Sequence, residues 1–307
     1  MKNVALLNNV LFNSMGLKRG ESLLFITDRL LYPIADLFYG ISLKLGPESL
    51  FVKIPDMEVD GQEPSSAVAK ILKTADVALL MTSKSLSHTR ARREASKSGV
   101  RIASMPGISY EVAMRSLSLD YREIKRLVKM ISDKLSKAKM VRVLTSKGTD
   151  ISFSIESRIG LGDYGIYKNK GDFGNLPAGE AFIAPLEGSA NGVIVIDGSI
   201  AGLGRLSKDV KVWIERGRLI KSKPSKFMNS ISSFGDKALN LAEFGIGLNP
   251  EAKVTGNVLE DEKVLNTAHF AFGTNKSFGG KVDAGIHIDA VFFDPKIYLD
   301  SKRLNLS

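Results

Sequence analysis

The sequence contains no cysteine. That absence excludes disulfide staples, thiolate metal ligands, thiol nucleophiles and iron–sulfur clusters in one step. Any metal must be held by His, Asp, Glu, backbone or water. Histidine is scarce too, with His88, His269 and His287 the only three in 307 residues. No run reaches the ~18 consecutive apolar residues of a membrane-spanning helix, so no transmembrane segment is expected. The amino terminus, MKNVALLNNVLFNSMGLKRGESLLFITD, lacks the long apolar core and small-residue cleavage site of a signal peptide. A cytoplasmic location is the expectation.

Acidic residues are outnumbered, 33 against 43 Lys and Arg, for a net charge of +10. Residues 1–137 hold 21 of the bases and only 14 of the acids. An excess of this sign suits nucleic acid or an anionic substrate. No aromatic-studded strand or nucleic-acid motif accompanies it, so it reads as a Lys-rich solvated surface. Neither nucleic acid nor membrane is an expected partner.

What is present is an ordinary globular composition, 44% hydrophobic and 25% charged, long enough for one large or two common-sized domains. Helical spacing over 2–17 leads to an apolar run at 23–28, a helix at 33–45, a second run at 49–54 and a helix at 65–74. Buried-strand patterns at 75–81 and 100–105 flank a polar helix at 89–98. This alternation predicts an α/β domain with a mainly parallel sheet. A long amphipathic helix at 120–137 carries Ile124, Leu127, Val128, Ile131 and Leu135 as its apolar stripe. Beyond it the texture changes. A hairpin pattern spans 140–155, strands are expected at 180–186, 192–197, 210–215 and 218–223, and only 237–243 and 259–264 look helical. The reading is an α/β domain over 1–137 followed by a β-rich α+β domain over 138–307.

Two of the three histidines fall in the last forty residues, each near carboxylates. In Ile286-His287-Ile288-Asp289-Ala290-Val291 apolar and polar residues alternate as on a strand, where residues two apart share a face. His287 and Asp289 would thus stand side by side, and His269 lies on a second strand-like segment. Such N/O donors suit a divalent ion such as zinc, cobalt, manganese or ferrous iron. Glu180 borders a Pro/Gly-shaped turn entering an apolar strand. Glu243 ends an Ala/Leu-rich helical turn just before Phe244-Gly245-Ile246-Gly247. Each acid is a candidate ligand or a cap of its element. Gly202-Leu203-Gly204 and Gly245-Ile246-Gly247 lack the rest of a dinucleotide fingerprint and read as turns.

Four segments, Asn175-Leu176-Pro177-Ala178-Gly179-Glu180, Leu241-Ala242-Glu243-Phe244-Gly245-Ile246-Gly247, His269-Phe270-Ala271-Phe272-Gly273 and His287-Ile288-Asp289, occur in an order and approximate spacing that resembles the aminopeptidase T family of dinuclear metallo-aminopeptidases. The resemblance is good over about 140–300 and looser before. It implies two divalent ions (zinc, cobalt or manganese) held by Glu180, Glu243, His269, His287 and Asp289, with one carboxylate bridging. One ion would hold a peptide's free α-amine, and the pair would activate water against the carbonyl. The resemblance also implies a homodimer acting on short peptides. The chain departs from the family where a Tyr is expected seven residues after the first His. Lys276 stands there, a cation able to stabilise an oxyanion or simply a loop charge. The chain is also shorter than typical members.

The same superfamily includes a ferrous dioxygenase that opens dihydroxypyridine rings, with two His and one Asp at the positions of His269, His287 and Asp289. Two His and one carboxylate is a recognised set for non-haem iron oxygenases, and Fe(II) is then the implied cofactor. A third reading is a non-catalytic metal- or anion-binding protein, pointed to by Lys84-Ser85-Leu86-Ser87-His88-Thr89-Arg90-Ala91-Arg92-Arg93 at a helix start. The plainer account of that run is an N-cap followed by a solvated basic face. Metallo-aminopeptidase stands first among these expectations, the dioxygenase second.

Overall fold

The computed structural model describes Lys2–Leu306; Met1 and Ser307, the ends of the two expected domains, lie outside the described residues. Five parallel strands form the first sheet, in the order Glu48–Lys53, Ser22–Thr27, Val77–Met81, Arg101–Ser104, Phe173–Asn175. The Val77–Met81 and Arg101–Ser104 strands are buried along their whole length, as a sheet covered by helices on both faces requires. Tyr32–Leu45, Ser66–Leu72 and Arg90–Lys97 form the helices expected between these strands. The first expected helix is shorter, an α-helix over Lys2–Asn8 that widens to a π-helix over Asn9–Ser14.

The second half is antiparallel, as its alternating strands predict. One seven-stranded sheet runs Arg218–Lys223, Val210–Glu215, Asn191–Ile196, Asp150–Ser154, Met140–Leu144, Lys296–Leu299, Lys302–Arg303. The other runs Gly204–Arg205, Ser199–Ile200, His287–Phe293, Thr267–Gly273, Leu241–Gly247, Glu180–Ile183, Leu161–Asp163. Between them lies a core in which Phe153 meets Phe244 and Phe270 edge-on and Phe270 stacks on Phe292 at 5.6 Å. Each of these rings is fully buried and contributes about 1.5–3 kcal/mol through loss of apolar surface to water.

Two elements differ from expectation. Residues 241–247 form a buried strand, not the end of a helix. Their Ala/Leu content favours helix, but the run Phe244-Gly245-Ile246-Gly247 and pairing on both sides decide for strand. The helix expected at 259–264 is a single turn, Val258–Asp261. The division of the chain also differs from one cut after 137. One compact unit comprises Met1–Glu123 and Gly165–Ala178, the other Ile124–Tyr164 and Gly179–Ser307. The Tyr121–Lys137 helix crosses the boundary because Val128, Ile131 and Leu135 pack in the second unit's core. Residues 173–175 return to close the first sheet.

Candidate metal centre

Four adjacent strands of the second unit bring the acids and histidines to one face. Glu180 stands opposite Gly247, Gly245 opposite His269, Glu243 opposite Ala271, Ala271 opposite Asp289, and Gly273 opposite His287. Alternation along each strand sends Phe244, Phe270 and Phe292 into the core and leaves the polar residues on the other face. The two glycines are space-makers. A Cβ on Gly245 would lie 2.0 Å from Nε2 of His269, and one on Gly247 would lie 2.1 Å from the carbonyl oxygen of Val264. Side chains at 245 and 247 would fill the cradle that the imidazole and the 262–264 segment occupy.

Nε2 of His269 lies 3.3 Å from Oε2 of Glu180 and 3.3 Å from Oε1 of Glu243. Nε2 of His287 lies 3.5 Å from Oε2 of Glu243 and 3.4 Å from Oδ1 of Asp289. Glu243 therefore turns one oxygen to each imidazole. Three sets of side chains place donor atoms within 4.8 Å of one another: Glu180, Glu243 and His269; Glu243, His287 and Asp289; and Glu262, His269 and Asp289. All five ligand candidates of the sequence come together. The two histidines fall in different sets, joined through Glu243 and Asp289.

Lys276 is turned to the surface. Its ammonium sits 66% exposed on a surface turn and pairs with Asp283 at 3.3 Å. The basic run at 84–93 also resolves plainly. Thr89 caps the Arg90–Lys97 helix through Arg92 N–H at 3.2 Å, and the Glu63 carboxylate accepts from the N–H groups of Arg90 and Ala91. The chain's own carboxylate takes the place an external anion would need.

Sequence reasoning missed three contributors. Glu262 and Lys263 belong to a run of charges, a pattern that normally marks a solvated face, yet the Lys263 side chain is fully buried, pairing with Glu180 and with Oε1 of Glu262, the latter at 2.6 Å. Thr274 acts through its carbonyl, which side-chain patterns do not advertise. Nδ1 of His287 lies 2.9 Å from that oxygen, and donation to it leaves Nε2 as the lone-pair nitrogen facing the carboxylates.

The electrostatics follow from burial and proximity. Burial works against charge on His269, but hydrogen bonding to Glu243 and the nearby Glu180 and Glu262 carboxylates raise it from 6.5 to about 9. Burial opposes charge on His287 as well, yet Asp289 and Glu243 hold it well above its usual value. Burial pushes Glu262 up to about 8 against the pull of Lys263. Glu243 and Asp289 stay below the usual carboxylate range despite burial, held down by the histidines. A cluster of buried carboxylates around two imidazoles, with Glu180 Oε2 and His269 Nδ1 buried and lacking hydrogen-bond partners, fits a divalent cation with N/O preference.

Fold and cluster together define a mixed α/β protein with a buried imidazole–carboxylate cluster whose groups could hold a metal ion. Residues 49–305 match the NicX family, described as 2,5-dihydroxypyridine 5,6-dioxygenase, and the chain belongs to it. A 2,5-dihydroxypyridine 5,6-dioxygenase of Pseudomonas putida is 25% identical over 258 residues, spanning 78% of this chain and 72% of that protein. The solved structure of a 2,5-dihydroxypyridine dioxygenase from Pseudomonas putida superposes with a TM-score of 0.82 at 21% identity, covering 99% of this chain and 95% of that one. Wild-type AmpT from Thermus thermophilus gives 0.71 at 15% identity, covering 99% and 96%. The two structural likenesses concern the fold. Among the described residues no helix is long and apolar enough to cross a membrane.

Proposed function

We propose that this chain is a non-haem Fe(II) dioxygenase that opens the ring of a dihydroxylated pyridine or a close heteroaromatic analogue. The observation that carries this reading is membership of the NicX family over residues 49–305, a span that includes every candidate ligand. The order of the two enzyme readings is thereby reversed, the aminopeptidase falling behind. Lys276 supports the reversal: the residue at the aminopeptidase Tyr position is turned to solvent and paired with Asp283.

His269, His287 and Asp289 would hold the iron, with Glu243 between the imidazoles. When bound, ferrous iron supplies the activation of dioxygen and a Lewis-acid anchor for a ring hydroxyl. The remaining roles belong to the chain. The Thr274 carbonyl fixes the His287 ring through Nδ1. Lys263 pairs with Glu180 and with Glu262 inside the site. His287 and Asp289 are 22% and 16% exposed whereas His269 is sealed, so a substrate approaches from the His287 side. There Phe278 meets His287 edge-on at 5.7 Å and Phe182 at 5.8 Å, an apolar wall suited to a flat ring.

The test is a paired assay. Protein loaded anaerobically with Fe(II) is offered 2,5-dihydroxypyridine and oxygen, and protein loaded with zinc, cobalt or manganese is offered aminoacyl amides. Oxygen uptake matched to loss of ring absorbance supports the proposal; amide hydrolysis without ring opening would replace it with the aminopeptidase reading.

A further inference from the structure

We propose that Lys263 is a built-in cation that restricts this centre to one divalent ion and so keeps it from assembling the two-metal site of a hydrolase. The inference deepens the single-iron reading above and rests on it.

The fold holds this ammonium firmly. The segment after the Val258–Asp261 helix crosses the site face of the sheet, where Gly247 gives it room. Lys263 is fixed at the backbone on both sides: its N–H donates to the Glu260 carbonyl at 2.9 Å, and its carbonyl accepts from Asn249 N–H at 2.7 Å. Asn249 in turn accepts from Leu265 N–H at 3.0 Å. The side chain is 0% exposed and ends between Glu180 and Glu262. A lysine so enclosed has no solvent into which to swing its charge.

The three donor sets show what the charge does. A two-metal centre bridged by Glu243 needs two of them at once, Glu180–Glu243–His269 and Glu243–His287–Asp289. Lys263 already pairs with Glu180 of the first. It pairs with Glu262 of the remaining set, Glu262–His269–Asp289, as well. Glu243–His287–Asp289 is the one set in which it holds no carboxylate, and His269 shares a set with Glu243 and another with Asp289, so the single ion would be held there with His269 as the adjoining donor. A fixed positive charge in a buried site repels a cation at the first position far more strongly than it would in water, and it supplies part of the neutralisation that a second metal would otherwise bring. The ammonium thus takes over a metal's electrostatic role.

The experiment counts ions. Metal-free full-length protein is saturated anaerobically with Fe(II), and in parallel with Mn(II), then separated from free ion and analysed for metal per chain. Wild type is expected to hold about one ion. Lys263→Met keeps the apolar stem but drops the charge, and is expected to rise to about two, while Lys263→Arg, which restores the charge, stays at about one. Circular dichroism and thermal melting verify that each variant is folded. If Lys263→Met does not fold, Lys263→Met combined with Glu262→Gln removes the excess acid and is held to the same expectation of about two. Two ions in wild type, or one ion in a folded charge-deleted variant, would overturn the proposal. Ring cleavage by a two-ion wild type would sink the role of Lys263 and leave the dioxygenase reading intact. One ion with no oxygen uptake on any dihydroxypyridine would do the opposite.

Discussion

At the scale of single residues, the centre is a set of ionisable groups whose charges are set by one another. In the metal-free protein His269 titrates near pH 9, because buried carboxylates surround it, so an incoming ion must displace a proton across most of the neutral range. Metal affinity is therefore expected to rise with pH through the neutral range, with proton release on binding to which His287, also held above its usual value, adds. Calorimetry in buffers of different ionisation enthalpy measures this directly; pH-independent affinity between 6 and 9 would show that His269 is not a ligand. The same shift has a stability consequence. A histidine raised from 6.5 to about 9 contributes stability that is full below pH 6.5 and lost as pH rises through about 9. Glu262, raised from 4.5 to about 8, works in the same direction, since the folded state favours its protonated form. Urea midpoints of metal-free protein should thus fall between about pH 6.5 and 9, and a saturating ion should flatten that fall. His287→Ala is expected to weaken metal binding by more than about 100-fold, beyond the range that changes behind the ligands usually cost, whereas Lys276→Ala should leave metal content unchanged.

At the scale of elements, four strands carry the ligand candidates, and one of those strands and one loop show how they are positioned. The Leu241–Gly247 strand alternates functional and core roles, with Glu243 toward the site, Phe244 and Ile246 into the core, and Gly245 giving up its side chain to the His269 ring. Gly245→Ala is expected to cost about 1–3 kcal/mol by overpacking and to lose metal content disproportionately, because the ring has to move. Full occupancy in a folded Gly245→Ala protein would contradict the close approach. The loop between Gly273 and His287 is tied down by Glu187, whose Oε1 accepts from Asn275 Nδ2 at 2.9 Å and Lys281 N–H at 2.7 Å and whose Oε2 pairs with Arg158. Glu187→Ala should release this loop and weaken metal binding by about 10–100-fold through His287, a change read by metal titration, with Glu187→Gln retaining more of the affinity. Much of the element layout was legible because period-two and helical patterns are strong in this chain. The 241–247 segment was not, since local Ala/Leu content is a weaker force than pairing with two neighbouring strands. The Phe173–Asn175 strand is too short to carry a pattern, yet it joins the parallel sheet and makes the first unit discontinuous.

At the scale of the whole molecule, a parallel α/β unit accompanies a two-sheet unit that carries the entire candidate centre. That second unit relies on its aromatic core for rigidity. Phe270 touches Phe153, Phe244 and Phe292 while its strand neighbour His269 faces the site, so Phe270→Ala is expected to cost about 3–5 kcal/mol, read as a lowered urea midpoint. The five ligand candidates were legible because their strand spacing and family order are written in the sequence. Lys263 and the Thr274 carbonyl were not, because one hides in a charge run and the other is backbone. Choosing between chemistries was beyond local pattern as well, since hydrolase and oxygenase can draw on the same acids and histidines. The central claim is that this centre uses oxygen rather than water, and isotope labelling tests it most directly. Iron-loaded protein turning over 2,5-dihydroxypyridine under ¹⁸O₂ in ordinary water is predicted to place both labelled atoms in the ring-opened product. Ring opening with no label, or turnover that proceeds equally well without oxygen, would contradict it.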